Sequence, residues 1–497
     1  CVIISLMKQK DALDKINRKK FVFIVLLWIF ISGIYGVYKP LPEGLDFEGQ
    51  AYNIPESSVS FLYDATYLDK DGQRQSKQEI FDEVFKMISG AKRFVVLDMF
   101  LYNDFQGKKP ENFRRLSQEL TDVLIKKKKS NPEMEMTVIS DPVNTIYGGY
   151  ESPHFKKLEE AGVKIIITDL KKLRDTNPAY SAFYRAIFQW FGNKSDGGII
   201  ANPFDKTKPK VTARSYLEMI NFKANHRKII IADEEVGGKF KAAILIASAN
   251  PHDGSSAHSN TAMKVRDFLW RDAVKSEEAA GRFSGNNFAI NTSDITDESG
   301  DIKIRLLTEK KIRNRLVRLI NESMEGDSID MAMFYLSDRK VVEALKRADK
   351  NGVNVRLALD PNKDAFGREK NGIPNRPVAA ELIKNSKGNT QIRWCDTHGE
   401  QCHSKMTLIK NSSGYHLLLG SANLTKRNIG NYNLETDILA ESGKKIPAIA
   451  RAYEFFNETW ENRSGRIYTA DYEKYKDESI YKTLLYHWME RTGMSSF

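Results

Sequence analysis

Between residues 80 and 88 apolar side chains recur every three or four positions (Ile80, Phe81, Val84, Phe85, Ile88) and stop at Gly90, which predicts an amphipathic helix. A short apolar run over 94–101, interrupted only by Asp98, follows and reads as a buried strand. The alternation continues with a helix over 114–128, a strand over 136–140 before Asp141-Pro142, a helix over 154–161 and a strand over 163–168. Helices alternating with short apolar strands predict a layered α/β domain. The same order returns as a helix over 312–324, an apolar run over 328–335, a helix over 341–348 and a strand over 353–359 before Asp360-Pro361. The chain therefore reads as two copies of one α/β unit. Residues 39–75, with Pro40, Pro42, Gly44 and Pro55, read as a tether, and the polar, acidic residues 286–301 as the linker between units. One insertion breaks the symmetry: 85 positions separate Asp141 from His226, against 43 from Asp360 to His403. Within it, residues 180–191 are rich in aromatics, with Tyr184, Ile187, Phe188 and Phe191 on one helical face. That face either packs on the domain core or lies at a membrane surface, receiving acyl chains.

The most apolar stretch is 21–38, uncharged and bounded by Lys20 and Lys39. Its length is near the lower limit for a bilayer span and is read as an uncleaved membrane anchor, a cleaved signal peptide being the main rival, with Met7 as a plausible start. The basic cluster of Lys8, Lys10, Lys15, Arg18, Lys19 and Lys20 before it places residues 1–20 in the cytoplasm and the rest outside, at the cell membrane. Of the net charge of +11, +4 precedes residue 21, so the remaining surface is mildly basic, suiting anionic lipid or nucleic acid. A composition 41% hydrophobic and 28% charged excludes a disordered chain. Cys395, His398, Cys402 and His403 match no standard zinc spacing, and no metal or cofactor is expected. Cys395 and Cys402 are expected as free thiols, or as a disulfide in an oxidising compartment.

The chemistry is concentrated in two short motifs. Asn225 to Asp233 reads H-x-K-x4-D, with His226 and Lys228 on one strand face. His403-Ser404-Lys405 repeats it, with Lys410 in place of Asp233. Each copy is followed by Ser-Ala-Asn, at Ser248 to Asn250 and at Ser421 to Asn423. An imidazole beside an ammonium suits a phosphate.

This doubled pattern resembles the phospholipase D superfamily, in its cardiolipin synthase-like branch. The resemblance implies an α/β fold of two tandem repeats, with the active site at their interface, behind one N-terminal transmembrane helix. The first repeat, with the aromatic insert, would span 76–285, the second 302–465, and a C-terminal helical tail 466–497. It implies a phosphohistidine intermediate, with His226 as nucleophile in the usual family order and His403 as general acid. Lys228, Lys405, Asn250 and Asn423 would bind the phosphoryl oxygens, and Ser421, with Ser248 in the first repeat, would fix the loop geometry. Asp233 completes the first motif. In the family a carboxylate beyond Ser-x-Asn orients one ring; Glu435 would do so for His403. Counting along the first repeat puts Ala262 at that position, leaving His226 without a carboxylate. His258, nearby, would orient a ring or serve the structure. The substrate implied is an anionic glycerophospholipid, cleaved by transfer or hydrolysis. A membrane-bound nuclease and an inactive phosphate-binding protein, the latter suggested by Lys410 and Ala262, are the rival readings.

Overall fold

The computed structural model describes residues 2–107 and 111–495, with side chains from Arg18 onward; Cys1 and the side chains of Lys8, Lys10 and Lys15 lie outside the described residues. Two sheets carry the fold. The first runs, edge to edge, Arg74–Lys77, Val59–Leu68, Asn260–Arg266, Lys239–Ala247, Lys228–Val236, Phe94–Met99, Glu135–Ser140, Lys164–Ile167. The second runs Tyr52–Ile54, Ile302–Thr308, Thr436–Ser442, Gly414–Gly420, Lys405–Asn411, Ser328–Met333, Asn354–Leu359, Thr390–Cys395, Thr469–Asp471. From Asn260–Arg266 and from Thr436–Ser442 onward the two orders correspond strand for strand, the structural counterpart of the duplication.

Period-two alternation decides what each face covers. Along Lys228–Val236, Ile229 and Ile231 enter a core shared with Leu408, Leu417 and Ile438 of the second sheet. Ile230 and Ala232 face the other way, into a core closed by the helices Ile80–Gly90, Leu116–Ser130 and Pro153–Glu160. The second sheet's outer face is covered by Glu309–Asn321, Arg339–Lys350, Asn375–Asn385 and Ile480–Thr492. The two repeats thus meet sheet to sheet, which brings corresponding strand ends together.

Three expectations need correction. Residues 39–75 are not simply a tether: Val59–Leu68 pairs with Asn260–Arg266, and Val59, Phe61 and Ala65 are buried in the shared core. Tyr52–Ile54 pairs with Ile302–Thr308 of the other sheet, tying the repeats together from the N-terminal side. Residues 466–497 are not an appended tail either, since Thr469–Asp471 closes the edge beside Thr390–Cys395 and Tyr486 is wholly buried in the second core. Finally, Cys395 and Cys402 are joined in a disulfide. The insert holds two helices, Pro178–Ile187 and Ala213–Met219. At the N-terminus a single helix, Val2–Tyr38, contains a stretch, Arg18–Tyr38, of mean hydropathy 2.3 that is long and apolar enough to cross a membrane.

Candidate active site

His226 and His403 are placed by matching devices. Asp141 Oδ2 accepts from the backbone N–H of Asn225 (2.7 Å), and Asp360 Oδ2 accepts from that of Cys402 (2.8 Å), so a buried carboxylate fixes the residue before each histidine. The chain then crosses to the other repeat. His226 N–H donates to Leu434 O (2.9 Å) and His403 N–H to Ser259 O (2.8 Å). Each motif is therefore stitched to the segment that leads into the opposite repeat's Ser-x-Asn partner strand.

That crossing decides which side group meets which ring. Glu435 Oε1 lies 2.8 Å from His226 Nδ1, not beside His403 as expected. His403 Nδ1 instead lies 3.2 Å from Asn260 Oδ1. Asn260 is the structural counterpart of Glu435. Ser421 Oγ donates to Glu435 and accepts from Thr436 N–H (2.9 Å), while Ser248 Oγ donates to Asn260 Oδ1 (3.1 Å) and accepts from Thr261 N–H (3.1 Å). The expectation at Ala262 was two residues too far, because the first-repeat loop is shorter by that much; Ala262 pairs with Ala247 in the sheet. His226 accordingly has its carboxylate, and His403 has a carboxamide.

The lysines are equivalent. Lys228 Nζ donates to His226 O (2.6 Å) and Lys405 Nζ to His403 O (2.9 Å), and both side chains are wholly buried. Phe100 and Phe334, which immediately follow corresponding strands, set their rings 4.7 Å and 4.8 Å from the His226 and His403 rings. Their ring faces lie 5.0 Å and 5.2 Å from the two ammoniums. Neither phenylalanine was singled out from the sequence; nor were Asp141, Asp360 or Asn260 assigned any part in the site. Asn250 Oδ1 accepts from Leu101 N–H (3.2 Å), and Asn423 is buried in the equivalent loop. His258 sits 5.8 Å from the His403 ring, its Nδ1 accepting from Gln401 N–H (3.2 Å).

Asp233 does not join this group. Its Oδ1 accepts from the backbone N–H groups of Lys92, Arg93 and Phe94 (3.1, 3.0 and 3.1 Å), so it caps the turn into the strand Phe94–Met99. Lys410, at the matching position, is exposed and lies beside Tyr415; its presence removes nothing from the site. His398 Nε2 is engaged by Asp396 (3.2 Å) and Cys402 by its disulfide, so the Cys/His cluster is otherwise occupied.

Burial, reinforced by the two ammoniums, holds both imidazoles well below their ordinary range. Burial also lowers Lys228 to about 7, lowers Lys405 strongly, and pushes Glu435 up to about 8. These are the responses of ionisable groups held away from water. An entering anion would offset the positive charge, so the affinity of the site depends on pH. Lys228 is charged below about 7 and loses its proton above it. Sulfate, whose own charge is constant there, should bind about tenfold more weakly at pH 8 than at pH 6, measured by calorimetry. Unchanged affinity across that range would show that Lys228 does not meet the anion.

Residues 316–460 match the family model described as cardiolipin synthase, PLD-like domain. Comparison with curated protein sequences gives no match. Among solved structures, phosphatidylserine synthase from Haemophilus influenzae Rd KW20 superposes with a TM-score of 0.55 at 10% identity, over 90% of this chain and 96% of that one. Polyphosphate kinase from Porphyromonas gingivalis gives 0.42 at 12% identity, over 88% and 53%. The phospholipase D family member Nuc from Salmonella typhimurium gives 0.26 at 18% identity, over 34% and 99%. Residues 316–460 thus carry a phospholipase D-like domain, the strand order of the first sheet duplicates that of the second, and the chain as a whole has the fold of the phosphatidylserine synthase.

Proposed function

We propose that the chain is a membrane-anchored, cardiolipin synthase-like phosphatidyltransferase acting on anionic glycerophospholipids through a phosphohistidine intermediate. The observation that carries this is the crossed pairing of His226 with Glu435 and of His403 with Asn260, around two buried lysines. With Nδ1 2.8 Å from Glu435 Oε1, His226 would carry its proton on Nδ1 and present the Nε2 lone pair to phosphorus. An N–P bond forms, the bond to the leaving alkoxide breaks, and His403 gives that oxygen its proton. His403 then takes the proton of the incoming hydroxyl, which attacks phosphorus and breaks the N–P bond. Lys228 and Lys405 offset charge on the non-bridging oxygens, and Glu435 offsets the positive charge of the phosphorylated ring. The helix containing Arg18–Tyr38 supports the membrane location, with the basic N-terminal side in the cytoplasm and the repeats outside.

The test is detergent-solubilised protein with phosphatidylglycerol, and single-stranded DNA in parallel. Cardiolipin plus free glycerol is the expected result. Phosphatidic acid alone would make the chain a hydrolase of the same lipid. Shortened DNA with the lipid untouched would overturn the lipid substrate.

A further inference from the structure

The aromatic insert does not pack into the domain core, and it is built against the N-terminal helix. Asp175 N–H donates to Gly36 O (2.9 Å), Arg185 Nε donates to Ser32 Oγ (3.0 Å), and Arg185 also pairs with Asp175. Gly33 leaves room for Ala182, where an added Cβ would come within 3.4 Å. Residue 175 thus lies level with Gly36 and residues 182–185 level with Ser32 and Gly33, so Pro178–Ile187 runs antiparallel to the N-terminal helix. On that helix Ser32 and Gly36 are buried and Val25, Ile29, Gly33 and Val37 are partly covered, one stripe at helical spacing. The stripe from Gly36 back to Val25 is about 16 Å long at 1.5 Å per residue. The outer side of this helix and the turn that follows Ile187 remain open: Phe183 is 41% exposed, Ile187 40%, Trp190 69% and Phe191 59%. Arg214 stands 6.0 Å from the Phe191 ring, and Lys194 (3.5 Å from Asp196), Lys206 and Lys210 are exposed in the stretch of the insert that follows the tip.

We propose that the insert is a second membrane element, which sinks Phe183, Ile187, Trp190 and Phe191 into the leaflet nearer the repeats, beside the N-terminal helix, with the basic residues on anionic headgroups. This rests on the anchoring read for residues 18–38 under the proposed function. An apolar tip with a basic collar suits an anionic lipid surface, and attachment to an apolar helix fixes the tip on the bilayer side of residues 175–177. The insert rejoins the site directly: Asn221 O accepts from Thr176 Oγ1 (2.8 Å), and Ala224 N–H donates to Asn433 Oδ1 (3.0 Å), two residues before His226. Immersion of the tip would therefore hold the cleft at headgroup depth, where a lipid phosphodiester reaches His226 and His403 without leaving the bilayer.

The experiment uses the full chain in vesicles of phosphatidylglycerol and phosphatidylcholine. A nitrobenzoxadiazole label is placed at Phe191→Cys in a Cys1→Ser background, with Lys239→Cys as the comparison. Quenching of the label at 191 by spin-labelled acyl chains, with the label at 239 quenched only by aqueous iodide, is expected. Iodide quenching at 191 would overturn the proposal. So would protection of 191 from both quenchers, which would indicate a second copy over the patch. This readout is independent of catalysis, so it stands even if the lipid substrate proves wrong. In the second arm, W190D/F191D should lower turnover of vesicle phosphatidylglycerol about tenfold or more while leaving a monomeric short-chain phosphatidylglycerol unaffected. Equal loss on both substrates would mean the tip serves only the fold.

Discussion

Replacing either His226 or His403 with alanine abolishes multiple turnover, by at least about 10⁴-fold, but the two variants fail at different steps. On the proposed mechanism His226, backed by Glu435, would form the N–P bond. His403→Ala should therefore still react once with a phosphodiester bearing a nitrophenyl leaving group, which needs no general acid. The expected result is a burst of one nitrophenol per site followed by near silence, with an alkali-stable, acid-labile adduct on the peptide containing His226. His226→Ala should show neither burst nor adduct. The opposite pattern would exchange the two roles, and full multiple turnover by either variant would sink the two-histidine mechanism.

Local features were legible in the sequence and crossed ones were not. The two H-x-K motifs, their Ser-x-Asn followers and the alternation of helices with apolar runs all lie within short windows, and each occurs twice. Glu435 was recognised as the orienting carboxylate but assigned to the wrong ring. Its partner depends on the bridges Asn225 to Leu434 and Ser259 to Cys402, which join one repeat to the other and leave no mark on local spacing. Asn260 was passed over because counting residues assumes equal loops, and here the loops differ by two. Asp233 shows the opposite error. It has the right spacing from His226, yet seven residues along an extended chain place it roughly 23 Å away, where three backbone N–H groups need an acceptor. The strand Val59–Leu68 was hidden behind prolines, and only its partner in the sheet reveals which alternate side chains are covered.

The unequal backing of the two rings leads to a second strong prediction. Glu435 is wholly buried and held by Ser421 and Asn428, so Glu435→Gln keeps its volume while removing the negative charge it can take on against a phosphorylated His226 ring. The phosphorylated His226 ring would then carry a positive charge with no nearby anion to offset it. In addition, the glutamine NH₂ would face either the Ser421 hydroxyl or the Asn428 amide, which both donate to Glu435. The expected loss is about 10³-fold in kcat with KM little changed, below the roughly 10⁴-fold seen on neutralising the carboxylate behind a catalytic histidine elsewhere. A Glu435→Gln enzyme within about threefold of the parent would remove Glu435 from the chemistry. The complementary change acts on the other ring. Asn260→Asp would set a carboxylate beside His403 Nδ1, favour the imidazolium and raise the pH at which His403 loses its proton. Because the leaving oxygen takes that proton, the alkaline limb of kcat/KM should move to higher pH in Asn260→Asp. An unmoved limb, with only a uniform loss of rate, would mean that Asn260 holds the ring in place without setting its acidity.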